Sequence, residues 1–141
     1  ARVVNTITFK RVSFQYYTCV VCFKLQPYAY EVQNKTITID ATQTTKQYTF
    51  ENSTNTTCEP TITLEGTGNC VLNIGTNQIN ITDIQNSITL NFAMQEAYKG
   101  TANMNTHVRG DFPKLKVGNT TIKWNGSGVT RIIINPNYRW R

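Results

Sequence analysis

The chain has 141 residues, 39% of them hydrophobic and 11% aromatic, enough for a packed core and too many for a disordered segment. Its net charge of +6 falls entirely from Arg109 onward, where Arg109, Lys114, Lys116, Lys123, Arg131, Arg139 and Arg141 face Asp111 alone. No apolar run approaches the roughly 20 residues that cross a bilayer as a helix, and residues 1–30 lack the continuous apolar stretch of a signal peptide.

The polar residues are biased: there are 23 Thr and 16 Asn. Thr suits strands because its β-branch stiffens χ1, and Asn suits the turns between them. A β-rich domain with many short loops is expected. Val12, Phe14, Tyr16, Thr18 and Val20 alternate with Ser13, Gln15 and Tyr17, which predicts one long strand. With Val3–Phe9 it would form an antiparallel hairpin joined around Lys10-Arg11. Pro27 disfavours a central strand and marks a boundary between an N-terminal β element (1–30) and the main domain (31–141).

From Thr36 short strands are expected at Thr36–Asp40, Gln47–Phe50, Thr61–Glu65, Cys70–Ile74, Gln78–Thr82 and Ser87–Phe92. Gly66-Thr67-Gly68 reads as a turn, and Gly75-Thr76-Asn77 as a hairpin loop. Ala93–Lys99 is the one helix-favouring stretch, long enough for about two turns before Gly100. Two more strands surround Ile122-Lys123-Trp124 and Arg131-Ile132-Ile133-Ile134, and the chain closes on Tyr138-Arg139-Trp140-Arg141. Many short strands at turn spacing give an all-β class, an antiparallel β-sandwich or jelly-roll-like domain.

Chemistry-bearing constellations are sparse. Cys19 and Cys22 are three apart in a predicted strand, on opposite faces, and Cys58 and Cys70 are twelve apart. That spacing suits neither a zinc site nor a redox dithiol, so the four cysteines read as small buried hydrophobes of a reducing compartment. His107 is the only histidine, and the eight acids are scattered singly. No nucleophile–base pair, phosphate loop or calcium loop is legible, and the expectation is no enzyme, no metal and no cofactor. Six Asn-x-Ser/Thr sequons, at Asn34, Asn52, Asn55, Asn80, Asn119 and Asn125, follow from the composition alone.

Trp, Tyr and Arg are enriched where proteins anchor to one another, so Tyr138, Arg139, Trp140 and Arg141 are candidate protein-interface residues. Trp124 and Trp140 are candidate saccharide contacts, although Trp124 alternates with Ile122 and suits the core better. The basic end suits an acidic protein, an anionic surface or nucleic acid, but no RNA- or DNA-binding motif accompanies it, and no nucleic-acid partner is expected.

The C-terminal residues resemble the distal tail proteins of siphophages and related prophages. The likeness rests on Gly110-Asp111-Phe112-Pro113-x-Leu115-Lys116-x-Gly118, on Thr121-Ile122-x-Trp124-x-Gly126, on a strand ending at Pro136, and on the closing Arg139-Trp140-Arg141. Upstream, Phe23-Lys24-Leu25-Gln26-Pro27-Tyr28 resembles the family's junction between domains, and 60–69 and 95–99 resemble other segments of the family. The likeness implies a non-enzymatic virion protein, made in the host bacterial cytoplasm and built into the tail tip. Residues 31–141 would be a galectin-like sandwich, with 136–141 returning towards the ring domain. Residues 1–30 look like only the final hairpin of the N-terminal ring-forming domain, which makes the chain a fragment or a shortened relative. The implied partners are the tail tube, the tail-associated lysin or tail-tip protein and the receptor-binding protein. A homo-hexamer is implied when the ring domain is present. A lectin-like module binding a host saccharide is the alternative. The family usually places Arg-Trp-Arg closer to the proline than here, where Asn137-Tyr138 intervene.

Overall fold

The computed structural model describes residues 2–24, 27–32 and 35–141. Leu25 and Gln26 of the expected junction, and the sequon residue Asn34, lie outside the described residues.

The N-terminal residues form a narrow antiparallel ribbon. Its short strands are β1 (Arg2–Val3), β2 (Lys10–Arg11), β3 (Tyr17–Thr18) and β4 (Phe23–Lys24), with β1 on β4 and β2 on β3. The expected hairpin exists, but its turn is at Ser13-Phe14-Gln15, closed by Val12 N–H donating to the Tyr16 carbonyl at 2.9 Å. Lys10-Arg11 is strand, and no continuous strand runs from Val12 to Val20. Alternation misleads here because the ribbon has no second layer to bury one face: Phe14 is 84% exposed and Val20 71%. Cys19 and Cys22 are exposed as well, whereas Cys58 and Cys70 are buried, so only the latter pair behaves as core hydrophobes.

Beyond the ribbon, β5 (Ala29–Tyr30) pairs with the last strand of the chain. The main body is a nine-stranded antiparallel sheet comprising β6 (Ile37–Asp40), β7 (Gln47–Asn52), β8 (Thr61–Ile74), β9 (Asn77–Asn91), β10 (Glu96–Lys99), β11 (Ala102–Asn103), β12 (Val108–Arg109), β13 (Gly118–Asn125) and β14 (Val129–Asn135). The closing strand is β15 (Arg139–Trp140).

The long β8–β9 hairpin organises this body. Residues 61–66 of β8 lie between β14 and the end of β9, and residues 71–74 lie between β13 and the start of β9. One half therefore runs β6-β14-β8-β9-β10-β11, and the other β7-β13-β8-β9-β12. The fold is all-β and sandwich-like, with the halves continuous through one hairpin.

Sequence explains the bend. Four predicted strands are really two, because Gly66-Thr67-Gly68 continues β8, with φ of 142° at Gly66 and 83° at Gly68. Glycine tolerates these angles where the strand turns from one half into the other. Gly66 also sits against Gly128, and a Cβ on either would run into the backbone of the facing strand. Opposite, β9 carries one extra residue: Gly68 pairs with Ile84 and Cys70 with Ile81. Asp83, at φ 55°, takes up that bulge and donates its N–H to Asn69 Oδ1 at 3.0 Å. Side chains of a strand switch face at such an insertion, so Ile79 and Ile81 point inward before it and Ile84, Ile88 and Leu90 after it.

Both halves contribute to one core. Ile39, Ile62, Leu64, Leu90, Ile132 and Ile134 come from the first half, and Phe50, Leu72, Ile79, Ile81, Ile122 and Trp124 from the second. Each such side chain stabilises the fold by about 1.5–3 kcal/mol on burial. The expected helix-favouring stretch is instead a turn followed by β10. Asn91 Oδ1 accepts the Ala93 and Met94 N–H groups, both at 3.1 Å, and pairing with β9 then outweighs local propensity.

Candidate functional site

The segments that flank the main sheet meet at β5 and β15, which pair as Tyr30 with Arg139 and Ala29 with Trp140. The approach to β15 is fixed by Asn137, whose positive φ of 53° turns the chain and whose Nδ2 donates to the Glu59 carbonyl at 2.9 Å. Asn tolerates this left-handed conformation better than other side chains. Tyr138 then stacks on Phe50 with ring centroids 6.0 Å apart, and its hydroxyl donates to the Glu51 carbonyl at 2.9 Å.

Arg139 is buried, at 7% exposure, and its guanidinium is held on three sides. Nε donates to the Thr57 carbonyl and Nη1 to Glu59 Oε2, both at 2.8 Å, while the Tyr28 ring lies 4.5 Å beneath. Glu59 also takes Lys114 Nζ at 2.8 Å. Burial works to raise the Glu59 pKa, but the Lys114 hydrogen bond and the charges of Arg139 and Lys114 outweigh it, leaving the carboxyl below its ordinary 4.5. The loop carrying Thr57 and Glu59 is itself fixed by buried Asn52, which donates to the Thr56 carbonyl at 2.9 Å and accepts the Thr54 hydroxyl at 2.8 Å. The Cys58–Leu115 bridge then pins it to the Gly110–Gly118 segment.

Of the candidate interface residues, then, Tyr138 and Arg139 are engaged by their own chain. Arg141 exchanges hydrogen bonds with Asn55 through its backbone, at 3.0 and 2.9 Å. Trp140 is 38% exposed and remains open to a partner. Trp124, by contrast, is 2% exposed and donates its indole N–H to the Ala41 carbonyl at 3.0 Å. A core tryptophan has no ring face left for a saccharide, which removes Trp124 from the candidate contacts.

The resembling segment 110–118 is structural in the same sense. Phe112 packs edge-on against Phe92 at 5.2 Å, Leu115 is buried, and Lys114 serves Glu59.

Beside β15 lies a groove of about 400 Å³ lined by Trp140, Tyr138, Tyr48, Glu31, Glu51 and Lys35, among others. The carboxylates of Glu31 and Glu51 make no ion pair: among the described residues the pairs are Lys114–Glu59, Arg131–Glu65 and Arg139–Glu59. Glu31 Oε2 is shut off from solvent with no hydrogen-bond partner among the described residues. An anionic, aromatic-walled cleft of this kind suits a cation or a polyol. Sequence reasoning missed Glu31, Tyr48 and Glu51, since strand periodicity says nothing about which outward side chains converge. One signal was present: Glu31 is the first acidic residue of the chain.

No three His, Cys, Asp or Glu side chains converge among the described residues. Burial pushes the Cys58 thiol up to about 11 despite the charge of nearby Arg139, and burial does the same to Cys70. Neither forms a thiolate readily near neutral pH. His107 ends a single 3-10 turn, Asn105–His107, and its carbonyl accepts the Thr82 hydroxyl at 3.2 Å. No helix among the described residues is long and apolar enough to cross a membrane. Comparison with known proteins found no matching family model, no matching curated protein and no matching solved structure.

Proposed function

We propose that this chain is a non-enzymatic structural and assembly protein of a phage tail tip, joining the tail tube to baseplate or receptor-binding proteins. The observation that carries this reading is the ribbon of residues 2–24, whose Phe9, Val12, Phe14, Tyr16, Val20 and Phe23 are all more than half exposed. Exposed large apolar side chains gathered along one short ribbon suit a surface that another protein covers. The sandwich behind it is a closed core with a self-satisfied C-terminal arm, as suits a scaffold. The likeness of residues 110–141 to distal tail proteins supplies the rest: a galectin-like sandwich, a tail-tip location and, when the ring domain is present, hexameric association. The test is immunogold electron microscopy of the phage particle with antibody raised against this chain. Label confined to the distal end of the tail is expected; label on heads or none on intact particles contradicts it.

A second reading, a lectin-like module for a host saccharide, is favoured by the groove at Trp140, Tyr138 and Tyr48. Glycan-array binding lost in Trp140→Ala would support it, and an array without signal would dismiss it.

A further inference from the structure

The ribbon and the groove are complementary. No acidic residue precedes Glu31, while Lys10, Arg11 and Lys24 lie on the ribbon and none of them makes an ion pair among the described residues. At the ribbon tip, Arg11 donates Nε to the Ser13 carbonyl at 3.1 Å and its guanidinium stands 5.1 Å over the Phe14 ring. That tip is a preformed cation-and-aromatic knob. The groove beside β15 offers the converse, two carboxylates outside any ion pair and three aromatic walls, with Lys35 at hand but bonded to neither carboxylate.

We propose that the ribbon tip of one copy, through Lys10, Arg11 and Phe14, docks into the Glu31–Glu51–Trp140 groove of a second copy. The tip lies about ten residues from the ribbon's root at about 3.3 Å each, roughly 30 Å, and among the described residues no hydrogen bond or ion pair joins it to the groove of its own copy; a second copy is the occupant. Docking gives Glu31 and Glu51 counter-charges, covers Trp140 and removes Phe14 from water. Each copy would offer a ribbon to one neighbour and a groove to another, so the contact is heterologous and propagates around a ring or along a filament. The inference deepens the assembly reading and rests on it; if it fails, particle labelling still decides that reading separately.

The test uses sedimentation velocity on the full chain, on Lys10→Glu/Arg11→Glu, and on Glu31→Gln/Glu51→Gln. Circular dichroism would verify that each is folded. The wild type should self-associate with rising concentration, less so at high salt, and each variant alone should associate about tenfold or more weakly. Mixing the two variants should restore a single 1:1 pair and nothing larger, since only one intact ribbon–groove match remains. A wild type monomeric at every concentration, variants that associate like it, or a mixture that stays monomeric would overturn the proposal. So would a monomeric wild type that binds a neutral oligosaccharide with a change in Trp140 fluorescence.

Discussion

Arg139 is tied by the Thr57 carbonyl, the Glu59 carboxylate and the Tyr28 ring to residues far back in the sequence, so it closes the chain end onto its own fold. Replacing it with alanine strands Glu59 beside a single lysine and leaves the Thr57 carbonyl short of a donor. Arg139→Ala should therefore destabilise the fold by about 2–3 kcal/mol in urea titration, and Arg139→Lys should recover little, because an ammonium lacks the planar fork and stacks poorly on Tyr28. A loss near zero would mean that the arm is decoration. Glu59 gives the matching pH dependence. Its folded pKa is depressed below 4.5, so its contribution is complete above that value and disappears as pH falls through the folded value. Melting temperature should drop as pH is taken below 4.5, and Glu59→Gln should flatten that drop. An unchanged profile in Glu59→Gln would place the acid sensitivity elsewhere.

At the level of elements, the bend in β8 is the critical feature. Gly66 combines a φ of 142° with a backbone neighbour, Gly128, that leaves no room for a side chain. Gly66→Ala should cost about 3 kcal/mol or more, well above Gly68→Ala, whose surroundings are open; denaturant midpoints of the two variants make the comparison. Equal costs would mean that backbone angle alone, and not the close approach, governs the site. These glycines also explain what was legible beforehand. Alternating Ile and Thr announced most of the strands, and Gly75-Thr76 announced the central hairpin. Glycine between two strands looks the same in sequence whether the chain reverses or merely bends, so β8 reads as two strands; β9 has no glycine and reads as two because Asp83 and Asn86, turn-forming residues at positive φ, lie inside it. The ribbon misled for a different reason: alternation implies a buried face only when something covers it. Trp124 was placed in the core by its spacing from Ile122, whereas Arg139 could not be assigned its partner, because nothing local links it to Glu59, 80 residues earlier.

Taken whole, the molecule divides into a sandwich with its polar groups largely satisfied and a ribbon that exposes its apolar side chains. That contrast is what the proposed assembly role requires, one rigid part and one part that waits for a partner. Site-resolved amide hydrogen exchange tests it most directly. In dilute solution, amides of β8 and β9 should exchange only on global unfolding, while the hydrogen-bonded amides of residues 2–24 exchange much faster, through local opening. On assembly, the ribbon amides should become protected and the sandwich should change little. Ribbon amides as protected as β8 in the dilute monomer, or still unprotected in the assembled state, would contradict the account.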